Sequence, residues 1–244
     1  NKRWAVYRTS IKQSSEPYFY GSTLLDEEPL LAHSNHEYYQ PVYSPDGKEI
    51  AFIEDRVNLK IINLATKQTR TLLDGNDLFY MADGDQYFTW SPDNQWLSVE
   101  YSPMLSNSEI ILLKADGSGE KINLTQSGYQ DNRPKWVNGG KQLLWFSDRD
   151  GLRSYANSGQ RQSDVYTLFF DQEAWDRFNL NKEDYALLKD IEEQTKKDST
   201  QTKKPAKTDS LLVLEWAKAR DRKTKLTIHS SALADALLSK DGEK

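Results

Sequence analysis

Histidine and cysteine carry most metal and acid–base chemistry, and this chain of 244 residues has three histidines and no cysteine. Two histidines fall in His33-Ser34-Asn35-His36-Glu37, a conceivable metal pair. A third ligand at recognisable spacing is missing, so the segment reads as a polar loop between structural units. The third lies in His229-Ser230-Ser231, a base beside two hydroxyls. Neighbours on a strand point to opposite faces, so they form no nucleophile–base pair, and a strand end leaving an outer edge is the expectation. No Gly-x-Ser-x-Gly elbow occurs. Asp148-Arg149-Asp150-Gly151 and Asp83-Gly84-Asp85 lack the alternating acids and distal glutamate of a calcium loop and read as aspartate-capped turns. Gly139-Gly140-Lys141 lacks the earlier glycine of a phosphate loop. These motifs assign no catalytic, cofactor-binding or metal-ligating residue.

What must hold any site is a repeat. Tyr43-Ser44-Pro45-Asp46-Gly47, Trp90-Ser91-Pro92-Asp93-Asn94 and Trp136-Val137-Asn138-Gly139-Gly140 place their aromatic residues 47 and then 46 positions apart. A fixed period of this size marks radial repetition, in which each unit is a small sheet that must stack on its neighbours. In the second unit Tyr38 to Tyr43 is an aromatic strand and Pro45-Asp46-Gly47 a tight turn. Glu49 to Glu54, Leu59 to Leu64 and Thr69 to Leu73 follow as three more strands. Four antiparallel strands in about 45 residues make one propeller blade. The third unit repeats this with Tyr87–Trp90, Trp96–Tyr101, Glu109–Lys114 and Lys121–Thr125.

The fourth unit runs through Arg133–Trp136, Gln142–Ser147 and Asp164–Phe170, and is then interrupted. Leu211 to Trp216 reads as a resumed strand and Lys223 to Ile228 as the outer one. Within the insertion, Asn181 is an N-cap and Tyr185, Leu188 and Ile191 form an apolar helical stripe. That stripe is expected to dock on the same chain, with a partner interface as the sharper alternative. Gln194 to Asp209 reads as a flexible loop. At the N-terminus, Asn1 to Arg8 aligns with Asn94 to Val99 as a second strand lacking its first. Ser239 to Gly242 aligns with Ser44 to Gly47.

The predicted fold is therefore all-β: a single β-propeller segment over residues 1–244, of about four four-stranded antiparallel blades. Its units are about 1–32, 38–73, 86–125 and 132–228, with a helical and flexible insertion at 172–209 in the last blade and the start of a further blade at 236–244. An open fragment is expected; a terminal strand near Leu237 closing a four-bladed ring is the alternative. Tyr43, Trp90 and Trp136 are expected to pack between blades rather than to stack a ligand.

The Ser-Pro-Asp-Gly-Lys turn followed by Ile50-Ala51-Phe52 resembles the WD-repeat-like propellers of the TolB and tricorn type. The stretch Tyr43 to Arg56, together with Asp83 to Gln86, Pro134-Lys135-Trp136, Trp145 to Gly151 and Asp164 to Phe178, is similar to a tricorn-type peptidase, and the likeness covers nearly the whole chain. The resemblance implies a large serine peptidase that trims peptides, whose propellers guide them toward a PDZ-like and a catalytic domain. None of those catalytic segments has a counterpart here, so no catalytic residue carries over. The partners so implied are peptides, those domains of the same parent protein, and a second copy of the chain. The compartment implied is the cytoplasm, with the bacterial periplasm as alternative. A stand-alone TolB-type interaction propeller is the second reading. A propeller glycosidase or lactonase would need converging carboxylates or metal ligands, and no such set stands out in the sequence.

Bulk composition agrees. Charged residues are 28% and aromatics 11%, as in an ordered protein of aromatic strands. A net charge of −5 gives no footprint for nucleic acid. No apolar run approaches the roughly 18 residues of a membrane span.

Overall fold

A strand that is apolar at every position has two faces to cover, and an isolated sheet covers neither. The computed structural model describes residues 4–11, 25–32, 35–77, 88–104, 107–154, 156, 161–198, 212 and 214–239. Strands β1 (Val6–Ile11) and β2 (Leu25–Leu31) form a two-stranded sheet. A four-stranded sheet follows from β3 (Tyr38–Tyr43), β4 (Glu49–Glu54), β5 (Asn58–Asn63) and β6 (Thr69–Leu73). The next comprises β7 (Phe88–Trp90), β8 (Trp96–Met104), β9 (Asn107–Lys114) and β10 (Lys121–Asn123). The last contains β11 (Asp131–Val137), β12 (Gln142–Ser147), β13 (Asp164–Phe169) and β14 (Lys223–Lys225). Every described pairing within these sheets is antiparallel and between strands adjacent in the chain. The chain is an all-β propeller fragment with a helical insertion in its last blade.

The alternation along β4 shows how the blades stack. Ile50 and Phe52 point back to Val6, Leu30 and Leu31 of the first sheet. Ala51 and Ile53 point forward to Trp90, Leu97 and Val99 of the next blade. The β7–β10 blade does the same one step on, sending Trp96, Ile110 and Leu112 against Leu143, Trp145 and Tyr166. Each inner strand adds a polar tie: Trp90 Nε1–H donates to the Val42 carbonyl at 3.2 Å, and Trp136 Nε1–H to the Thr89 carbonyl at 3.3 Å. Both tryptophans therefore pack between blades. Tyr43, at the same place in its own repeat, is 49% exposed, because no preceding inner strand stands beside it among the described residues.

The first-to-second-strand turns are built alike. Ser44 Oγ–H donates to Asp46 Oδ1 at 2.7 Å and accepts from Glu49 N at 3.0 Å. Ser91 Oγ–H donates to Asp93 Oδ1 at 2.6 Å and accepts from Trp96 N at 2.9 Å. Gly47 and Asn94 occupy the left-handed position with φ of 71° and 63°, which glycine and asparagine tolerate best.

Four places differ from the sequence-based expectation. The β1–β2 pair occupies the third and fourth strand positions, not the second. Val6 pairs with Leu31 and the register shifts just after Val6, as Leu59 pairs with Leu73 and shifts just after Leu59. Next, Leu214 and Glu215 form no strand, and Trp216–Ala219 is a short helix, α3; β14 already holds the edge beside β13. Residues 211 and 213 of that expected strand lie outside the described residues. Helix α2 (Lys182–Asp198) extends past Glu193, so the expected loop loses residues 194–198 to it, and 199–209 lie outside the described residues. Finally, the alternative of a terminal strand near Leu237 is not met: residues 236–239 form no strand, and Leu233, Ala236 and Leu238 pack on Leu144, Phe146 and Val165, the far face of the last blade, while 240–244 of the expected further blade lie outside the described residues.

The insertion has one more helix, α1 (Gln172–Phe178), capped by Asp171 Oδ1 accepting from Ala174 N at 2.7 Å. Asn181 caps α2 as expected, accepting from Glu183 N and Asp184 N. Buried Arg222 pins both feet of the insertion, donating to the Phe170 carbonyl, Gln172 Oε1, the Glu215 carbonyl and Glu215 Oε2 at 2.6–3.0 Å.

The seam between blades rests on the indoles. Trp90→Ala should lower the urea-derived unfolding free energy by about 3–5 kcal/mol, and Trp90→Phe by about 1–2 kcal/mol. Equal, small losses in both variants would show that Trp90 does not seal the seam.

Candidate functional site

Turns β3–β4 and β5–β6 lie at one end of the sheets; the β4–β5 turn and the sheet-to-sheet connections lie at the other. At this second end the polar side chains gather. Asp148, directly after β12, exchanges bonds with the residue before β11: its N–H donates to the Gln130 carbonyl at 3.3 Å and its Oδ1 accepts from Gln130 N at 3.0 Å. Oδ1 also accepts from Arg153 Nη2 at 2.6 Å, while Arg161 Nη1 stands off at 3.9 Å from Oδ2. Arg153 and Arg161 pair as an isolated bridge, and a cavity of about 620 Å³ opens there, lined by Leu152, Arg153, Ser154, Arg161, Gln162 and Ala232. The loop crosses itself closely: a Cβ at Gly151 would lie 1.8 Å from the Gln162 carbonyl oxygen, so only glycine fits.

Aromatic rings stiffen this corner. Arg149 and Arg153 stack over Tyr129 at 5.7 and 5.0 Å, and Arg149 also over Tyr166 at 5.5 Å. Tyr166 donates to Asp150 Oδ2; burial and then this bond push its phenol pKa up. The same bond, with Lys225 nearby, holds the Asp150 carboxyl below its ordinary range.

Beside the cavity, the seam between the last two blades buries acids. Glu109 accepts from Ser127 N and Gly128 N at 2.9–3.0 Å and from the Thr125 hydroxyl. Fully buried Asp131 accepts from Ser127 Oγ at 2.5 Å, and burial raises its pKa. Lys223 is lowered by burial and then by Arg149. Glu100 of β8 faces the Arg133 backbone N–H at 3.4 Å, and desolvation carries it from 4.5 to about 7 against the pull of that bond and the Arg133 charge.

In the β3–β6 blade the corresponding corner holds a different set. Asp55 N–H donates to the Glu37 carbonyl and Asp55 Oδ1 accepts from Glu37 N, both at 2.9 Å. His36 Nδ1 lies 2.5 Å from Asp55 Oδ2, and Glu54 joins them so that one donor atom from each lies within 4.8 Å of the others. Tyr39 donates its hydroxyl proton to Glu37 and carries Arg56 over its ring at 4.5 Å.

No known family model matches this chain, and no curated protein does. Solved structures do. Tricorn protease is 11% identical with a TM-score of 0.50, over 88% of this chain and 19% of that one. A putative TolB from Agrobacterium tumefaciens is 20% identical with a TM-score of 0.41, over 62% and 54% respectively. TolB from Acinetobacter baumannii is 21% identical with a TM-score of 0.43, over 60% and 33%. The likeness is one of fold. This chain spans about half of the first TolB and a fifth of tricorn protease, and the identities are too low to transfer activity.

The sequence-derived candidates fall as follows. His33 and Asp83–Asp85 lie outside the described residues. His36 has in space the carboxylate neighbours, Glu54 and Asp55, that its own sequence segment does not supply at ligand spacing. The Asp148 carboxylate, expected to cap its own turn, instead accepts from Gln130 N and from Arg153. His229 is exposed after β14, while Ser230 Oγ donates to buried Asp164 at 2.6 Å and Ser231 bridges to Ser163. Asn138–Gly140 forms a 3₁₀ turn, and Leu212 packs within 2.7 Å of where a Gly140 Cβ would sit. Sequence reasoning missed Glu54, Asp55, Arg153, Arg161 and Tyr129. One signal was present: Asp55-Arg56 and Asp148-Arg149 each begin 12 residues after the blade's aromatic, Tyr43 or Trp136. Among the described residues no helix is long and apolar enough to cross a membrane.

The raised carboxyl of Glu100 carries a sign. Its folded pKa lies above its unfolded one, so the folded state binds more protons between them, and stability falls as pH rises from about 4.5 to about 7. Buried Asp131 acts in the same direction. Glu100→Gln should flatten that fall and melt higher than the parent above pH 7 in thermal scans. An unchanged slope would place the titration elsewhere.

Proposed function

We propose that this chain is a non-catalytic propeller part of a tricorn-like serine peptidase, docking peptides for hydrolysis by a catalytic domain outside this sequence. The observation that carries the reading is the groove at the connection end of the last blade. Arg161 borders it with a guanidinium held loosely, 3.9 Å from Asp148, while Arg153 is fixed at 2.6 Å. A loosely paired arginine beside a fixed one suits a peptide carboxylate, which takes two parallel N–H bonds from a planar fork. Leu152 and Ala232 supply apolar contact for the adjoining side chain. A cavity of about 620 Å³ has room for a few peptide residues. The sequence resemblance over Pro134-Lys135-Trp136, Trp145 to Gly151 and Asp164 to Phe178 supports the peptidase assignment, and the cytoplasm, with the periplasm second, is the compartment that goes with it.

A stand-alone interaction propeller is the second reading, favoured by one feature. Leu187 and Ile191 on α2 remain 60% and 51% exposed, an apolar pair that a protein partner, including a second copy of this chain, would cover.

Fluorescence anisotropy with labelled short peptides tests the docking role. Peptides with a free C-terminal carboxylate should bind and their C-terminal amides should bind about tenfold more weakly. Arg161→Ala should remove the difference without moving the melting temperature. Fluorogenic peptides should pass unhydrolysed. Turnover blocked by a serine-directed inhibitor, or binding indifferent to both amidation and Arg161, would refute the proposal.

A further inference from the structure

A repeat protein contains its own control, because equivalent positions show what the fold alone requires. In the last blade the bond between the aspartate after the second strand and the residue before the first is made by Asp148 and Gln130. The residues next to them are Ser147 and Tyr129. The β3–β6 blade makes the same bond with Asp55 and Glu37 but has Glu54 and His36 at those neighbouring positions. The strand registers agree, with Tyr38 opposite Glu54 and Asp131 opposite Ser147. Closing the corner thus needs neither the second carboxylate nor the imidazole, and yet both converge on Asp55.

The geometry points to a site for a first-row divalent transition metal formed by His36, Glu54 and Asp55, with Lys60 as its built-in competitor. One donor atom from each residue already lies within 4.8 Å of the others. Bonds of about 2.0–2.2 Å around a tetrahedral ion set its donors about 3.4 Å apart, so small side-chain shifts close the gap. More than a third of the His36 and Asp55 side chains is exposed, which leaves them free to make those shifts.

A cation is already drawn to this corner. Lys60 Nζ sits 2.5 Å from Glu54 Oε1. Metal binding would replace that ammonium at Glu54 and the direct contact between His36 and Asp55, releasing Lys60 to water. One imidazole and two carboxylates suit Zn²⁺, Mn²⁺ or Co²⁺ rather than Ca²⁺, which takes six to eight oxygens. Three protein ligands leave a coordination position for water or a ligand group. The inference is independent of peptide docking, since none of these residues lines the groove of the last blade.

The test titrates the 244-residue protein, stripped with a chelator, with Zn²⁺ by calorimetry, and with Co²⁺ by visible absorption. One equivalent should bind, with Ca²⁺ giving no heat. His36→Ala and Glu54→Gln should each weaken Zn²⁺ by about tenfold or more, and Lys60→Met should tighten it. His36 is exposed, so its alanine variant should keep the parent circular dichroism spectrum and melting curve, separating ligand loss from unfolding. The chain has no cysteine and only two other histidines, His33 and His229, so adventitious binding would show as uptake that survives His36→Ala. That result, or no uptake by the parent protein, would overturn the site.

Discussion

Everything in this molecule depends on central strands that are apolar on both faces. Strands β4, β9 and β12 have buried side chains at nearly every position, and no single sheet can supply the cover for two faces. Each blade is therefore complete only with its neighbours. The indole N–H bonds from Trp90 and Trp136 fix the spacing of the inner strands, because a donor buried at the seam must find its acceptor at one offset. Once that offset is set, the connections between blades all arrive at the same end. Polar side chains from adjacent sheets then meet there whether or not any function is served.

The period was legible because its signal is chemical as well as numerical. Pro-Asp-Gly and Pro-Asp-Asn each supply a preset φ, a side-chain acceptor and a left-handed residue, and the resulting turns share their bonds atom for atom. Strand identity within a blade was harder. Residues 4–8 alternate like either of the two middle strands, and only the register shift after Val6 distinguishes them. Leu214 and its neighbours have strand-like composition, but a sheet edge accepts one partner, and Lys223 to Lys225 took it. Helix α1 has seven residues, too few turns for a period to emerge. The candidate sites were illegible for a related reason. His36 meets Glu54 and Asp55 only through the pairing of β3 with β4, and ligand spacing rules for contiguous motifs do not look across a hairpin.

The seam between the last two blades shows how a propeller tolerates charge in its interior. Burying a carboxylate costs several kcal/mol unless its lone pairs are met. Glu109 meets its own with two backbone N–H groups and a hydroxyl, and Asp164 with the hydroxyls of Thr227 and Ser230. Asp131 and Glu100 are the ones whose carboxyls burial pushes upward, against the hydrogen bonds that each receives. The two carboxyls that burial raises thus lie at one end of one seam.

Repetition also separates what the fold demands from what this sequence adds. The aspartate after the second strand and its exchange with the preceding connection recur in two blades, so that bond belongs to the architecture. Where the blades depart from each other, architecture no longer explains the residue. In the last blade the departure is a long connection from β12 to β13, closed by a glycine that tolerates no side chain and bearing two arginines on one carboxylate. In the β3–β6 blade it is a three-residue turn flanked by an imidazole and a second acid. The short turn keeps three donor atoms within 4.8 Å of one another, whereas a cavity of about 620 Å³ opens beside the long connection. Loop length at a common framework position thus sets how closely the side chains of each corner approach.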